Sequence, residues 1–231
     1  MGNRFGHAGV QQNSGLDAAA PAVGRQTQTG NPDNSGSVQS LFVLFADIRQ
    51  FSRLTEQVSL QVLYSFLSDY FQLFAASVEE HGGQVNKFLG DGALALFRSP
   101  LAGGKALAPV RAALHLHAQF MRLHTCWLTQ GMTQAQVQQV AQVDLGVGIS
   151  YGEVFLGPIT AGASSNVDVT VIGQAVNVAQ RLATDCNPGG VYCTGAARQL
   201  LDSTVQVQSL GCFQPKGMAN TQSLFQLLAL E

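Results

Sequence analysis

Hydrophobic and polar positions along the chain repeat with two periods. Leu41 to Ile48 (LFVLFADI) is a continuous apolar run interrupted only by an acid near its end, which predicts a strand buried on both faces. Leu60 to Glu80 places Leu63, Phe66, Tyr70 and Phe74 at helical spacing and stops before His81-Gly82-Gly83, predicting an amphipathic helix. Val85 to Leu89 and Ala93 to Phe97 predict a hairpin that turns at Gly90-Asp91-Gly92, where glycine tolerates positive φ. A second helix is expected over Ala106 to His124, with Val110, Ala113, Leu114, His117 and Met121 on one face, and the Gln-rich Gln130 to Gln142 joins or prolongs it. VDLGVGISYGEVFLG predicts two strands around Ser150-Tyr151-Gly152, and Val167 to Ile172 a further strand. Ala175 to Thr184 is then helical and Gly190 to Cys193 extended, before a closing alternation of hydrophobic runs and turns. The sum is a one-piece α+β domain with a mixed sheet flanked by helices.

Residues 1–40 show neither period. They are rich in Gly, Gln, Asn, Ser and Ala and are expected to form a flexible leader ahead of a domain over 41–231. Of the 231 residues 46% are hydrophobic and only 11% charged, below the roughly 25% charged share usual in globular chains. A net charge of −2 argues against a nucleic-acid binder, which needs a basic face. No apolar run reaches the roughly 18 residues of a membrane span and no secretory pattern opens the chain, so a cytoplasmic domain is expected. Cys126, Cys186, Cys193 and Cys212 form no CxxC pair, which predicts reduced, mostly buried thiols.

Charged residues are scarce, so those inside apolar runs stand out. Asp47 ends a buried strand just before the turn IRQFS, where its carboxylate projects beside free helix N-terminal amides. Asp91, at the hairpin tip, is the natural second carboxylate if the hairpin lies beside the first strand. Two converging carboxylates without Cys or His favour Mg²⁺ or Mn²⁺ over zinc and suit phosphate chemistry. Asn177 and Arg181 are four apart in AVNVAQRLA and share one helix face. Such a pair can hold a sugar oxygen and a phosphate, and it can equally be an ordinary solvated face. His115, His117 and His124 share one predicted helix, but only His117 and His124 share a face, two turns apart, so no ligand role is expected of them.

The runs FADIRQFSRL, VNKFLGDGALALF, GVGISYGEVFLGPI, DVTVIGQAVNVAQRL and FQPKG resemble, in order and spacing, the successive motifs of the class III nucleotidyl cyclase catalytic domain. The resemblance covers Leu41 to the C-terminus and implies a ferredoxin-like, palm-like mixed sheet flanked by helices. It further implies a homodimer with composite active sites that turn ATP into cyclic AMP and pyrophosphate. In one subunit Asp47, Asp91 and the carbonyl of Ile48 would bind two Mg²⁺ or Mn²⁺ ions. The partner would supply Lys87 and Thr170 to the adenine edge, Asn177 to the ribose, and Arg181 with Lys216 to the phosphates. Lys87 and Asp91, neighbours in sequence, would then serve different active sites.

Substrate choice follows from the same two positions. Lys87 can donate to a ring nitrogen and Thr170 can accept from an amino group, which is the adenine pattern, whereas guanylate-specific relatives are expected to carry Glu and Cys there. The threonine resembles the subgroup that includes bicarbonate-responsive adenylate cyclases, so bicarbonate is an expected candidate regulator. A catalytically weak cyclase-like module for dimerisation or nucleotide sensing would be expected to lack a metal Asp, the Asn or the Arg, yet Asp47, Asp91, Asn177 and Arg181 are all present. The absence of a GG[DE]EF-type sequence speaks against a diguanylate cyclase.

Overall fold

The computed structural model describes residues 36–100, 104–129, 143–160, 167–186 and 189–231. Its elements are β1 Ser37–Arg49, α1 Phe51–Gln57, α2 Leu60–Glu80, β2 Gln84–Leu89, β3 Gly92–Arg98, α3 Ala108–Thr129, β4 Asp144–Thr160, β5 Val167–Ile172, α4 Gln174–Asp185, β6 Gly190–Thr194, α5 Gly195–Leu200, β7 Val205–Phe213 and β8 Gln222–Leu230. The fold is α+β, with eight strands in one mixed sheet in the order β2-β3-β1-β4-β6-β8-β7, and β5 attached to the far half of β4. Among the described strands only the β4–β6 pair is parallel.

β1 is central and covered on both sides, as its unbroken apolar run requires. Phe42, Leu44, Ala46 and Ile48 face a core built with Phe66, Tyr70 and Phe74 of α2 and Val110, Ala113, Leu116 and Phe120 of α3. The alternate residues Leu41, Val43 and Phe45 face Leu94 and Leu96 of β3 and Ala175, Ala179 and Ala183 of α4. Burying such side chains contributes about 1.5–3 kcal/mol each. β1 begins at Ser37, inside the segment expected to be leader, because its first residues pair with the outer half of β4, from Ser37 opposite Leu156 onward.

α2 has the span its periodicity predicts. Ser59 caps it by accepting from the Val62 amide, and Gly82 (φ 74°) ends it. The β2–β3 hairpin also forms as expected, with Gly90 at φ 65° in its turn. Two of the expected elements differ from what forms. VDLGVGISYGEVFLG is one continuous strand rather than two, because β1 pairs with β4 without a break from Asp144 to Leu156 and leaves no place to turn. The buried stripe of α3 runs through Val110, Ala113, Leu116 and Phe120, leaving Met121 39% exposed, since α2 approaches from that side. The helical reading of Gln130 to Gln142 lies outside the described residues. All four cysteines are free, but only Cys186 and Cys193 are buried, while Cys126 and Cys212 are exposed.

α4 sits unusually close to the sheet. Gly146, Gly148, Ser150 and Gly152 alternate along one face of β4, and a Cβ on Gly146 or Gly148 would run into the carbonyl oxygens of Ala183 or Ala179. The Ser150 hydroxyl donates to the Ala175 carbonyl oxygen at 2.6 Å and anchors the other end of the helix. Small residues on both partners set this spacing. Gly148→Ala is therefore expected to destabilise the domain by about 1–3 kcal/mol through overpacking against a backbone atom that cannot rotate away, read as a lower urea midpoint at unchanged slope; an unchanged midpoint would contradict the close packing.

Candidate active site

The carboxylates expected to converge do so. Asp47 is the last residue of β1 to pair with β3, opposite Gly92, and lies opposite Gly146 on β4. Asp91 sits in the turn immediately before β3, which brings the two acids to the same end of adjacent strands. Both residues are half-buried. Burial pushes the Asp47 carboxyl up to about 6, and the negative charge of Asp91 pushes in the same direction, opposed by Arg49. Asp91 is also raised, by burial, with its own backbone amide partly offsetting this. Both carboxyls therefore hold their protons more tightly than a free aspartate does. Ile48 follows with its side chain in the core, so only its backbone carbonyl is on offer as a ligand.

Two residues that sequence reasoning passed over support this pair. Arg49 donates from one guanidinium nitrogen to the carbonyl oxygens of Ala183 at 3.0 Å and Cys186 at 2.6 Å, fastening the end of β1 to the C-terminus of α4. Those carbonyls are among the last of a helix, which leaves them without intrahelical partners. Tyr70 is fully buried on α2, its hydroxyl has no hydrogen-bond partner among the described residues, and burial with the charges of Asp47 and Asp91 holds its proton well above the ordinary tyrosine range. The arginine directly after Asp47-Ile48 was a usable signal. Tyr70 had none, because its spacing marks a core residue of α2 and nothing else.

The turn after β1 is tighter than expected. Gln50 adopts a left-handed conformation (φ 60°) and opens α1, a separate short helix with no side-chain cap. That turn sets the direction in which the chain leaves the carboxylate pair.

The remaining candidates fall into two further groups. Lys87 is half-buried on β2, just after a bulge, and Thr170 lies on β5 opposite Gly157. β2 and β5 approach one another, and the Asn86 carboxamide donates to the Val169 carbonyl oxygen at 3.5 Å, so the residues flanking Lys87 and Thr170 touch across non-adjacent strands. Asn177 and Arg181 share the outer face of α4, opposite its buried Ala175, Val178, Ala179 and Leu182. The Arg181 side chain is 41% exposed and its guanidinium lies 4.0 Å from the Asp185 carboxylate, a surface pair of little energetic weight. Among the described residues no hydrogen bond or ion pair joins Asn177 or Arg181 to Asp47 or Asp91. Lys216 is exposed in the turn between β7 and β8, where the Met218 amide donates to the Pro215 carbonyl oxygen, and the structure does not bring it to the other candidates.

The chain has counterparts among known proteins in sequence and fold. An adenylate cyclase of Anabaena cylindrica is 30% identical over 148 residues, which is 64% of this chain and 28% of the relative, so the chain spans little more than a quarter of that protein's length. The adenylyl cyclase CyaB from P. aeruginosa superposes with a TM-score of 0.74 at 25% identity, covering 85% of this chain and 97% of that one. The guanylyl cyclase Cya2 superposes with a TM-score of 0.73 at 23% identity over 85% and 95% of the two chains, a likeness of fold. The family described as the adenylate and guanylate cyclase catalytic domain matches residues 34–229, and the chain belongs to it.

Proposed function

We propose that this domain is an adenylate cyclase that converts ATP to cyclic AMP and pyrophosphate at sites shared between two copies of the chain. The observation that carries the reading is the Asp47–Asp91 pair: two half-buried acids, with Asp47 held near 6 by burial and secondarily by the charge of Asp91, are poised for a cation that neutralises them. An all-oxygen donor set, completed by the Ile48 carbonyl, suits two Mg²⁺ or Mn²⁺ ions. Bound there, the ions would supply acidification of the ribose 3′-hydroxyl and neutralisation of the triphosphate charge.

The chain's own groups supply the rest. The reaction joins the 3′-oxygen to the α-phosphorus as pyrophosphate leaves, and negative charge grows on the phosphoryl oxygens. Arg181 offers forked donors to those oxygens, and Asn177, one helical turn away on the same face, holds the ribose. Lys87 donates to the adenine ring nitrogen while the Thr170 hydroxyl accepts from the amino group. Lys216 reaches the phosphates only if the exposed β7–β8 turn folds toward them. Division between two subunits is supported by the outward-facing Asn177 and Arg181 and by an uncovered apolar patch on the β4–β5 arm. In that patch Phe155, Ile159 and Ile172, on one face of the arm, are each about 39–54% exposed. No described helix is long and apolar enough to cross a membrane. The threonine at position 170 supports bicarbonate as a regulator to test beside the metals.

Purified protein is expected to form cyclic AMP from ATP with Mg²⁺ or Mn²⁺, with specific activity rising with protein concentration. Arg181→Ala should lower kcat by about 10³-fold or more while dimerisation persists. Mixing Asp47→Ala with Arg181→Ala chains should restore one complete site per heterodimer; inactivity of confirmed mixed dimers would refute the shared site, and no cyclic nucleotide from folded wild-type dimer would favour a non-catalytic module.

Base selection is tested separately. Lys87→Glu with Thr170→Cys reverses the donor and acceptor pattern and should shift the ATP/GTP ratio of kcat/KM toward GTP, and an unchanged ratio would remove these two residues from purine readout.

The pH behaviour of the metal-free fold follows from Asp47. Its folded-state value, about 6, lies above the ordinary 3.8, so the folded protein holds this proton more tightly than the unfolded chain. That contribution is fully present below the unfolded value and is lost as pH rises through about 6. Asp47→Asn should therefore raise the Tm of metal-free protein at pH 7.5, with the gain fading toward pH 4. Mg²⁺ should stabilise the wild type and not the variant. A gain that does not change with pH would show that charge repulsion is not its source.

A further inference from the structure

A second group of metal-ligating side chains stands where the C-terminus of α2 meets α3. Glu80 and His81 end α2, His115 faces them from α3, and one ligand atom of each lies within 4.8 Å of the other two. His115 Nδ1 is 3.6 Å from a Glu80 carboxylate oxygen, and the two imidazole centres are 5.7 Å apart. Around a tetrahedral zinc ion bound at about 2.0–2.1 Å, neighbouring ligand atoms sit roughly 3.3 Å apart. Small rotations of these partly exposed side chains would close the triad.

The surroundings set His81 for coordination, and one carboxamide turn sets His115. His81 Nδ1 donates to the Ser77 carbonyl oxygen at 2.8 Å, which places the proton on that nitrogen and leaves Nε2 with its lone pair. The Gln119 amide nitrogen lies 3.2 Å from His115 Nε2 and donates to it, which places the imidazole proton on Nδ1. Turning that carboxamide by 180° presents its oxygen instead, moves the proton to Nε2 and leaves the Nδ1 lone pair for a metal. His115 Nδ1 is buried and has no hydrogen-bond partner among the described residues, which is costly unless something fills the gap.

We propose that Glu80, His81 and His115 form a zinc-type divalent metal site that pins the end of α2 to α3. It is distinct from the Asp47–Asp91 pair in both place and chemistry. The six residues of β2 separate the turn after His81 from the turn holding Asp91, roughly 20 Å at about 3.3 Å per residue. Two imidazoles and one carboxylate select zinc-like ions, whereas carboxylates alone select Mg²⁺ or Mn²⁺. Three protein ligands leave a fourth position to water. The proposal is independent of the cyclase reading.

The test is Zn²⁺ binding by chelator-treated full chain in excess Mg²⁺, measured by competition with a chromophoric chelator, with Co²⁺ as a spectroscopic probe. One zinc ion per chain is expected, and Co²⁺ should give the strong visible absorption of four-coordinate nitrogen and oxygen ligation without thiolate charge-transfer bands. His81→Ala, His115→Ala and Glu80→Gln should each weaken Zn²⁺ binding more than about tenfold, and Gln119→Leu by about tenfold through the lost support of His115. Asp47→Asn and the double variant Cys126→Ser, Cys212→Ser should leave it unchanged. Should His115→Ala not fold, His81→Gln and Glu80→Gln, at the partly exposed end of α2, carry the same test. Absence of zinc binding, equal affinity in the His81 and Glu80 variants, or loss only in the aspartate or cysteine variants would each overturn the site.

Discussion

The double-sided burial of β1 is the constraint on which the rest of the structure depends. A strand whose every residue from Leu41 to Ala46 is buried needs a layer on each face, and α2 with α3 on one side and α4 on the other provide them. The strand is thereby rigid and dry almost to its end. Asp47, arriving where that burial stops, is only half exposed to solvent and only partly offset by Arg49. Its raised proton affinity is therefore a consequence of the core, and the paired strand β3 delivers Asp91 to the same place. The two turns that close this end, at Gln50 and Gly90, both use left-handed backbone to do so.

α4 links the core to the outward-facing Asn177 and Arg181. Its inner face rests on the glycines of β4 and its C-terminal carbonyls are held by Arg49, so the helix is fixed in depth and in rotation. Asn177 and Arg181 are presented outward as a result. The same helix therefore closes the layer behind Asp47 and turns an amide and a guanidinium outward, the groups that the proposed reading assigns to a site shared with a second copy.

Elements with one dominant period were legible from the residues alone. The 3.6-residue rhythm of α2, the apolar run of β1 and the hairpin around Gly90 and Asp91 stand as read, because each is decided by local spacing and turn chemistry. Asp47 and Asp91 were legible for a related reason: a charge inside an apolar run has few structural excuses. β4 was misread as two strands because Ser-Tyr-Gly looks like a turn, and only the uninterrupted partner β1 makes it straight. The stripe of α3 was misplaced because several rotations of an Ala-rich helix bury similar area, and α2 chooses among them.

By itself, the order of residues determined that an α+β domain would form, that two acids would end adjacent elements, and that an amide and a guanidinium would share a helix face. These follow from periodicity, from glycine's backbone freedom and from the cost of burying charge. Only the tertiary structure decided what meets across long separations. It put Arg49 on the carbonyls of α4, Tyr70 behind the carboxylates, Asn86 against β5, and His115 beside His81 and Glu80 rather than beside the other histidines of its own helix. The reason is physical: contacts between residues tens of positions apart depend on which layers pack and at what depth, and that depth is set by small residues such as Gly146 and Gly148, whose missing side chains leave no periodic mark.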